Sequence, residues 1–421
     1  MKLRHFGAIV ALFSLLLVSC NSLEREDDGK PDDGNNPFTP ITLTTKQNGY
    51  VRAGRDFACR FIKKIDDNAT ARKETDWIVS PLSLQIALGM LLNGAQGETA
   101  AEICRALGYN EGETDEINAW CKLMLEQLPA LDKKTDMSLA NAIFYNKKMS
   151  LKSPYRKLVE TNYEAHVDAL DFSKKKDAAG TINKWCDKQT KGMIPEVIKE
   201  VDPSALAYLL NAIYFKSEWG LKFPKSATES ETFTREDGSK DKVKMMKIKG
   251  EKFYYDENEI WQAIELSYGN GAYTMTVVLP QKGHTVSEIT TALGKGISIG
   301  CTWNVETDLW IPRFETKYHV DLNDILADMG MQRAFNPQSA DFSALSEYPS
   351  FVSCVMQDAA IKVDEDGSEA AAVTTITMMA TSYIPVTPPK NAVFHADHPF
   401  LYLITETSTR TILFAGKYSG N

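Results

Sequence analysis

Between Ser368 and Pro389 the chain carries one charged side chain, Glu369, and this restricts its folding choices more than any other feature. The stretch is introduced by Asp364, Glu365, Asp366 and Gly367. It continues through small residues (Ala370, Ala371, Ala372), β-branched ones (Val373 to Thr377) and flexible apolar ones (Met378, Met379), and ends in prolines. Such a composition suits a strand. A β-prone run with almost no charge is an aggregation hazard on an open edge, which favours a buried central strand. Its length and its proline-punctuated tail favour a surface loop. A loop able to become a strand satisfies both demands, and a long central strand satisfies the first.

The full chain has 421 residues, long for one compact domain but within reach of a large mixed fold. With 43% apolar residues, 24% charged residues and a net charge of -9, it has the balance of an ordinary soluble protein. Nothing in that balance suits nucleic acid. Residues 1–19 are expected to be a signal peptide: Lys2, Arg4 and His5 precede an apolar run too short for a comfortable membrane span. The run ends at Leu17-Val18-Ser19-Cys20, which resembles a bacterial lipobox. That resemblance implies lipid on Cys20 and anchoring to the outer membrane; Asn21 to Pro40 is rich in Asp, Glu, Gly, Asn and Pro, so residues 20–44 are expected to be a disordered tether. A plain signal peptide with an incidental cysteine is the alternative. Glu24, Glu26, Asp27 and Asp28 resemble surface-export signals of some Gram-negative lipoproteins, which implies outward display. The six other cysteines show no scaffold spacing and are expected to be free buried thiols.

Residues 45–421 are expected to form one domain. Phe57, Phe61, Ile62 and Ile65 fall at helical spacing over Tyr50 to Ile65. Trp77 to Val79 is a short strand, after which Ser80 caps a buried helix with Pro81 at its first position, closed by Gly94; Thr99 opens another. Further helices are expected over Asp115–Leu131, Tyr155–Tyr163 and Ala178–Thr190, with a strand over Met137–Tyr145. Ala205 to Phe215 is apolar throughout and suits the middle of a sheet covered on both faces. Phe253 to Pro280 reads as meandering antiparallel strands, residues 303–314 as one strand, residues 321–335 as a helix capped by Asp321, and the C-terminus as two strands.

Five separate runs resemble one family, the serpins. They are VSPLSLQIALGMLLNGAQGET, then NAIYFKSEWGLKFPKSATESETF with Asn211, Phe215, Lys216, Trp219 and Phe223, then DLNDILADMGMQRAF with ADFSAL, then the segment after Gly367, and finally Phe394, Asp397, His398, Pro399 and Phe400. The resemblance implies an α+β fold of three β-sheets and eight or nine helices, with an exposed reactive-centre loop near the C-terminus.

No catalytic seat is apparent. The chain lacks a GxSxG elbow, HExxH, a CxxC pair and a phosphate-cradling glycine loop. His395, Asp397 and His398 form one local cluster, but on a strand the two histidines point to opposite faces, so no metal and no cofactor is expected. Adjacent Asp364, Glu365 and Asp366 suit a solvated turn.

The resemblance instead makes this chain a bait. A target protease would cut the loop and form an acyl-enzyme. The freed end would then enter the central sheet, giving a covalent complex with a protein expected to be monomeric. Serpins are a standing example of such strand insertion. The implied hinge is Glu365, Gly367, Ser368, Glu369, Ala370, Ala371, Ala372 and Val373. At period two, the set that would be buried (Ser368, Ala370, Ala372, Thr374, Ile376, Met378) carries no charge, and Glu369 falls in the other set. Family spacing puts the scissile bond at Thr381 and Ser382, with Met378, Met379, Ala380 and Tyr383 as alternatives. No Lys or Arg lies between Ser368 and Pro389. Trypsin-like enzymes are therefore poor matches, whereas elastase-, subtilisin- or chymotrypsin-like serine proteases and papain-like cysteine proteases fit. Arg313, Glu365 and Trp219 are implied where the loop enters the sheet. Ser80, Ser83 and Asn211 are implied in a cluster controlling sheet opening, with Gln357 at the position where the family usually has histidine. A non-inhibitory binding or carrier serpin is the competing expectation.

Overall fold

The computed structural model describes residues 38–367 and 389–420. Cys20, the leader, and every site residue named between Ser368 and Tyr383 lie outside the described residues. So does most of the opening stretch.

Helix α1 spans Thr45–Arg72 and begins in a capping box: Thr44 accepts from the Gln47 amide while the Gln47 side chain accepts from the Thr44 amide. Its buried face carries Phe57, Phe61, Ile62 and Ile65. The other helices are α2 (Pro81–Leu92), α3 (Gly97–Leu107), α4 (Thr114–Gln127), α5 (Ser153–Asn162), α6 (Lys175–Gln189), α7 (Val286–Gly294) and α8 (Asn323–Asp328). Ser80 caps α2, whose residues are buried almost throughout, as a helix apolar on every side requires.

The strands are β1 (Trp77–Val79), β2 (Asp136–Asn146), β3 (His166–Leu170), β4 (Ala207–Lys216), β5 (Glu229–Thr234), β6 (Lys240–Glu257), β7 (Trp261–Tyr268), β8 (Tyr273–Pro280), β9 (Trp303–Pro312), β10 (Phe314–Asp321), β11 (Met356–Val363), β12 (Asn391–His395), β13 (Phe400–Glu406) and β14 (Ile412–Tyr418). They form three sheets. One has nine strands in the order β1-β14-β13-β8-β7-β6-β9-β12, with β5 paired to β6. The second has the order β3-β2-β4, and the third is the pair β10-β11. Every residue of β8, β13 and β14 is buried, and α2 packs on both β4 and β14. Eight α-helices and three sheets among the described residues make the fold α+β.

Five expectations need correction. Among the described residues β4 lies at the end of its sheet and not in the middle: it pairs with β2, and its other edge has no described partner. The strand expected over 303–314 breaks at Arg313, because β9 belongs to the nine-stranded sheet and β10 to the pair with β11. The helix expected over 321–335 shrinks to α8 and a 3-10 turn at Arg333–Phe335; Asp321 ends β10 and caps nothing. Glu365 is buried, not solvated. Among the free thiols Cys59 is intermediate and Cys354 exposed, while Cys104, Cys121, Cys186 and Cys301 are buried. Burial pushes the Cys121 thiol up to about 12, which keeps it inert.

Candidate functional site

The described residues place β4 and β11 face to face across a cleft, with no ladder joining them. A cavity of about 420 Å³ at its upper end is lined by Tyr214, Phe215 and Lys216 of β4 and by Ile361, Lys362 and Val363 of β11. A smaller cavity below it is lined by Tyr208 to Ala212, Met356 and Asp358, and reaches Cys186 on α6. Each strand therefore presents an edge of backbone donors and acceptors to the cleft, the arrangement that templates a further strand.

At the top of the cleft the chain leaves β11 through a turn over Asp364–Gly367, in which the Gly367 amide donates to the Asp364 carbonyl at 3.1 Å. Glu365 is held there from two sides. Arg313 Nη2 donates to its two carboxylate oxygens at 2.6 and 2.5 Å, and Thr228 Oγ1 donates to Oε1 at 2.6 Å. The Glu365 side chain is 3% exposed and that of Arg313 is 47% exposed. Trp219 lies beneath the turn, stacked on Tyr268 at 4.5 Å and donating through Nε1 to the Asp364 carbonyl at 2.9 Å. A Cβ on Gly367 would fall 1.8 Å from Trp219 Nε1, so only glycine lets the turn lie on the indole. Asp366 pairs with Lys225 at 2.5 Å.

Burial alone would raise the Glu365 carboxyl; the bonds from Thr228 and Arg313 outweigh it and hold it below its usual value. A depressed carboxylate contributes stability above its unfolded pKa of about 4.3, and that contribution is lost as pH falls through the folded value. Replacing Glu365→Gln should therefore lower stability by about 1–2 kcal/mol at pH 7, after allowing for solvent around Arg313. The gap between variant and wild type should close below about pH 4. Denaturant titrations at both pH values check this; a gap that persists at low pH contradicts it.

Behind the cleft the implied cluster does assemble. The Ser80 amide donates to Gln357 Oε1 at 2.8 Å, Gln357 Nε2 returns a bond to the Ser80 carbonyl at 3.0 Å, and Ser80 Oγ donates to the Leu413 carbonyl at 2.6 Å. Ser83 Oγ donates to Asn211 Oδ1. Asn211 Nδ2 continues to Asn141 Oδ1 at 2.6 Å, and Asn141 Nδ2 reaches the Tyr163 carbonyl at 2.7 Å. One polar chain thus joins β11 to α2, and a second joins α2 through β4 and β2 to the end of α5. Helix α2 is the element that the β3-β2-β4 sheet and the β10-β11 pair both hold.

Sequence reasoning missed Thr228, Lys225 and Asn141. The first two lie more than a hundred positions from the turn they hold, with no local signal. Asn141 did leave one: an amide in the middle of the apolar strand MSLANAIFY, directly opposite Asn211 in the ladder.

A profile of the family described as Serpin (serine protease inhibitor) matches residues 52–420. The chain is a serpin. It is 33% identical to the leukocyte elastase inhibitor of Xenopus laevis over 377 residues, covering 86% of this chain and 97% of that one. The native-state structure of tengpin, a thermophilic serpin, superposes with a TM-score of 0.75 at 27% identity, covering 92% of this chain and 97% of that one. Thyroxine-binding globulin in complex with thyroxine gives a TM-score of 0.74 at 29% identity, covering 88% and 98%. The serpins this chain resembles thus include an elastase inhibitor and a thyroxine-binding protein.

In this serpin His395 and His398 hold the corner between β12 and β13. His395 Nε2 lies 2.9 Å from Glu231, which also pairs with Lys247. His398 Nδ1 lies 2.8 Å from Asp397 Oδ1, and its Nε2 lies 2.9 Å from the Pro280 carbonyl at the end of β8. Both ring nitrogens of His398 face acceptors, so only the protonated ring donates to both. Burial would lower its pKa, but Asp397 and the Pro280 carbonyl outweigh that and raise it. A raised histidine contributes stability fully below its unfolded pKa of about 6.5, and the contribution disappears as pH rises through the folded value. His398→Gln should therefore cost about 1 kcal/mol at pH 5.5 and close to nothing at pH 9, given the partly exposed ring. Melting temperatures of both proteins across that range provide the check, and a pH-independent difference contradicts it.

Proposed function

We propose that this serpin is a suicide-substrate inhibitor of serine proteases of the elastase, subtilisin or chymotrypsin type, with papain-like cysteine proteases as a further class. The observation that carries the reading is that, among the described residues, the facing edges of β4 and β11 below the turn at Gly367 have no ladder partner. Cleavage near Thr381 and Ser382 would free the segment after Gly367, and a chain continuing that turn runs back antiparallel to β11, where both edges can receive it. Arg313, Thr228 and Trp219 hold the start of that path. Ser80, Ser83, Asn211 and Gln357 hold the two halves of the sheet at the separation the path needs. The acyl bond to the protease would then be carried along before water can cleave it.

The test is incubation with a panel of such proteases followed by denaturing electrophoresis. A complex that survives denaturation supports the reading, and clean cleavage with no complex across the panel removes it. The likeness to thyroxine-binding globulin favours a second reading, a carrier. A carrier would be cut without trapping the enzyme.

The place of action belongs to the same proposal. Lipid on Cys20 would fix the inhibitor to the bacterial outer membrane, where it would shield the cell from external proteases. Membrane-fraction protein from cells expressing wild type and Cys20→Ala decides this: the wild type should sediment with membranes, and the variant should not. No described helix is long and apolar enough to cross a membrane.

A further inference from the structure

A third cavity, of about 200 Å³, lies at the foot of the cleft on the side of α2 and has no part in the reading above. Its wall is apolar: Leu88 and Leu91 of α2, Leu209 of β4, Phe342, Leu345 and, just ahead of β11, Val352. No Lys, Arg or His is among the lining residues, and Asp202 is their one carboxylate. Bonds from the amide and the hydroxyl of Ser204 hold that carboxyl below its usual range, so it is ionised near neutral pH. Ser350 also lines the cavity, and its hydroxyl oxygen is buried with no hydrogen-bond partner among the described residues.

We propose that this cavity binds a small neutral aromatic molecule, a single substituted ring whose one hydroxyl or carbonyl oxygen pairs with Ser350. The volume sets the size. An apolar cavity of about 150 Å³ is enough for benzene, so one of about 200 Å³ holds a ring with a small substituent and little more. The wall sets the polarity. Apolar side chains gain by covering a ring, whereas a carboxylate would enter a space that offers no cation and faces Asp202. The Ser350 hydroxyl sets the functional group. A buried hydroxyl left unpaired is costly, and it can either donate to a ligand oxygen or accept from one. A ligand so placed touches α2 and both walls of the cleft together, and stabilises that arrangement in proportion to its occupancy.

This inference does not rest on protease inhibition, and its failure would leave that reading untouched. The probes are 4-methylphenol, toluene and 4-methylbenzoate, titrated against the folded chain and followed by ligand-observed NMR. 4-Methylphenol should bind with a dissociation constant on the order of 0.1 mM, toluene about tenfold more weakly, and 4-methylbenzoate not measurably. Ser350→Ala should weaken 4-methylphenol about tenfold and leave toluene within about twofold of wild type, a split that general loss of fold cannot give. Ala87→Leu extends a longer side chain from α2 into the space and keeps a good helix former there. It should abolish binding of both ligands with unchanged circular dichroism. No binding of 4-methylphenol to wild type overturns the proposal. So does undiminished binding to Ala87→Leu, which would place the ligand elsewhere. 4-Methylbenzoate binding as tightly as 4-methylphenol removes the selection against anions, and an unchanged 4-methylphenol affinity in Ser350→Ala removes the role of the hydroxyl.

Discussion

Cutting the chain once between Ser368 and Pro389, with both fragments retained, should raise the melting temperature by about 20 °C. The expectation follows from the two edges that have no partner among the described residues. A segment of eight to ten residues entering between β4 and β11 completes a ladder on each side. At a net of about 0.5–1.5 kcal/mol per bond this amounts to roughly 10 kcal/mol. Each kcal/mol shifts the melting point of a large domain by about 2 °C. Calorimetry of intact and nicked protein, purified without denaturant, measures the difference directly. An unchanged melt would mean that the edges do not receive the segment, and would favour the carrier reading over the inhibitor.

Replacing Ala370→Asp together with Ala372→Asp should abolish trapping while leaving cleavage intact. Both positions fall in the alternating set whose side chains would turn toward the core once the segment pairs. Burying an unpaired carboxylate costs at least about 1–3 kcal/mol and usually more, so two of them slow or reverse insertion. Insertion competes with hydrolysis of the acyl-enzyme, and the yield of covalent complex should fall at least about 100-fold. The control is Ala371→Asp, which falls in the same set as Glu369 and should trap nearly as well as wild type. Gel densitometry of complex against cleaved product reads both variants. Equal losses from the two sets would show that the faces are not those the alternation assigns.

The contrast between faces and edges explains what the sequence could and could not reveal. Ser80 followed by Pro81 announces a helix start because the cap bond is made within three residues, and Phe57, Phe61 and Ile65 announce their helix because its period is local. The apolar residues on both faces of β4 predict a central strand. Apolarity reports what lies above and below a sheet, however, whereas ladder partners lie in its plane. An edge kept open therefore carries no hydrophobic signature. Arg313 looked like the tail of one strand because the alternation continues through it into β10, and only the change of sheet shows the break. Glu365 looked solvated among its acidic neighbours because its ligands, Arg313 and Thr228, stand far away in the chain. The polar chain behind the cleft was legible as far as the serpin resemblance reached. Beyond that, the Asn141–Asn211 pair required the register.

Arg313 has a mechanical consequence. Its backbone amide donates to the Lys244 carbonyl at 2.7 Å, riveting it to the nine-stranded sheet, while its guanidinium grips Glu365 at the end of β11. Arg313 is thus loaded, together with Thr228, Trp219 and Lys225, between two bodies that share no ladder. A tug on the chain beyond Gly367 reaches the large sheet through a few side chains, those of Arg313, Thr228, Trp219 and Lys225, and not through a ladder. The joint can yield sharply at a defined load and leave everything behind it undistorted.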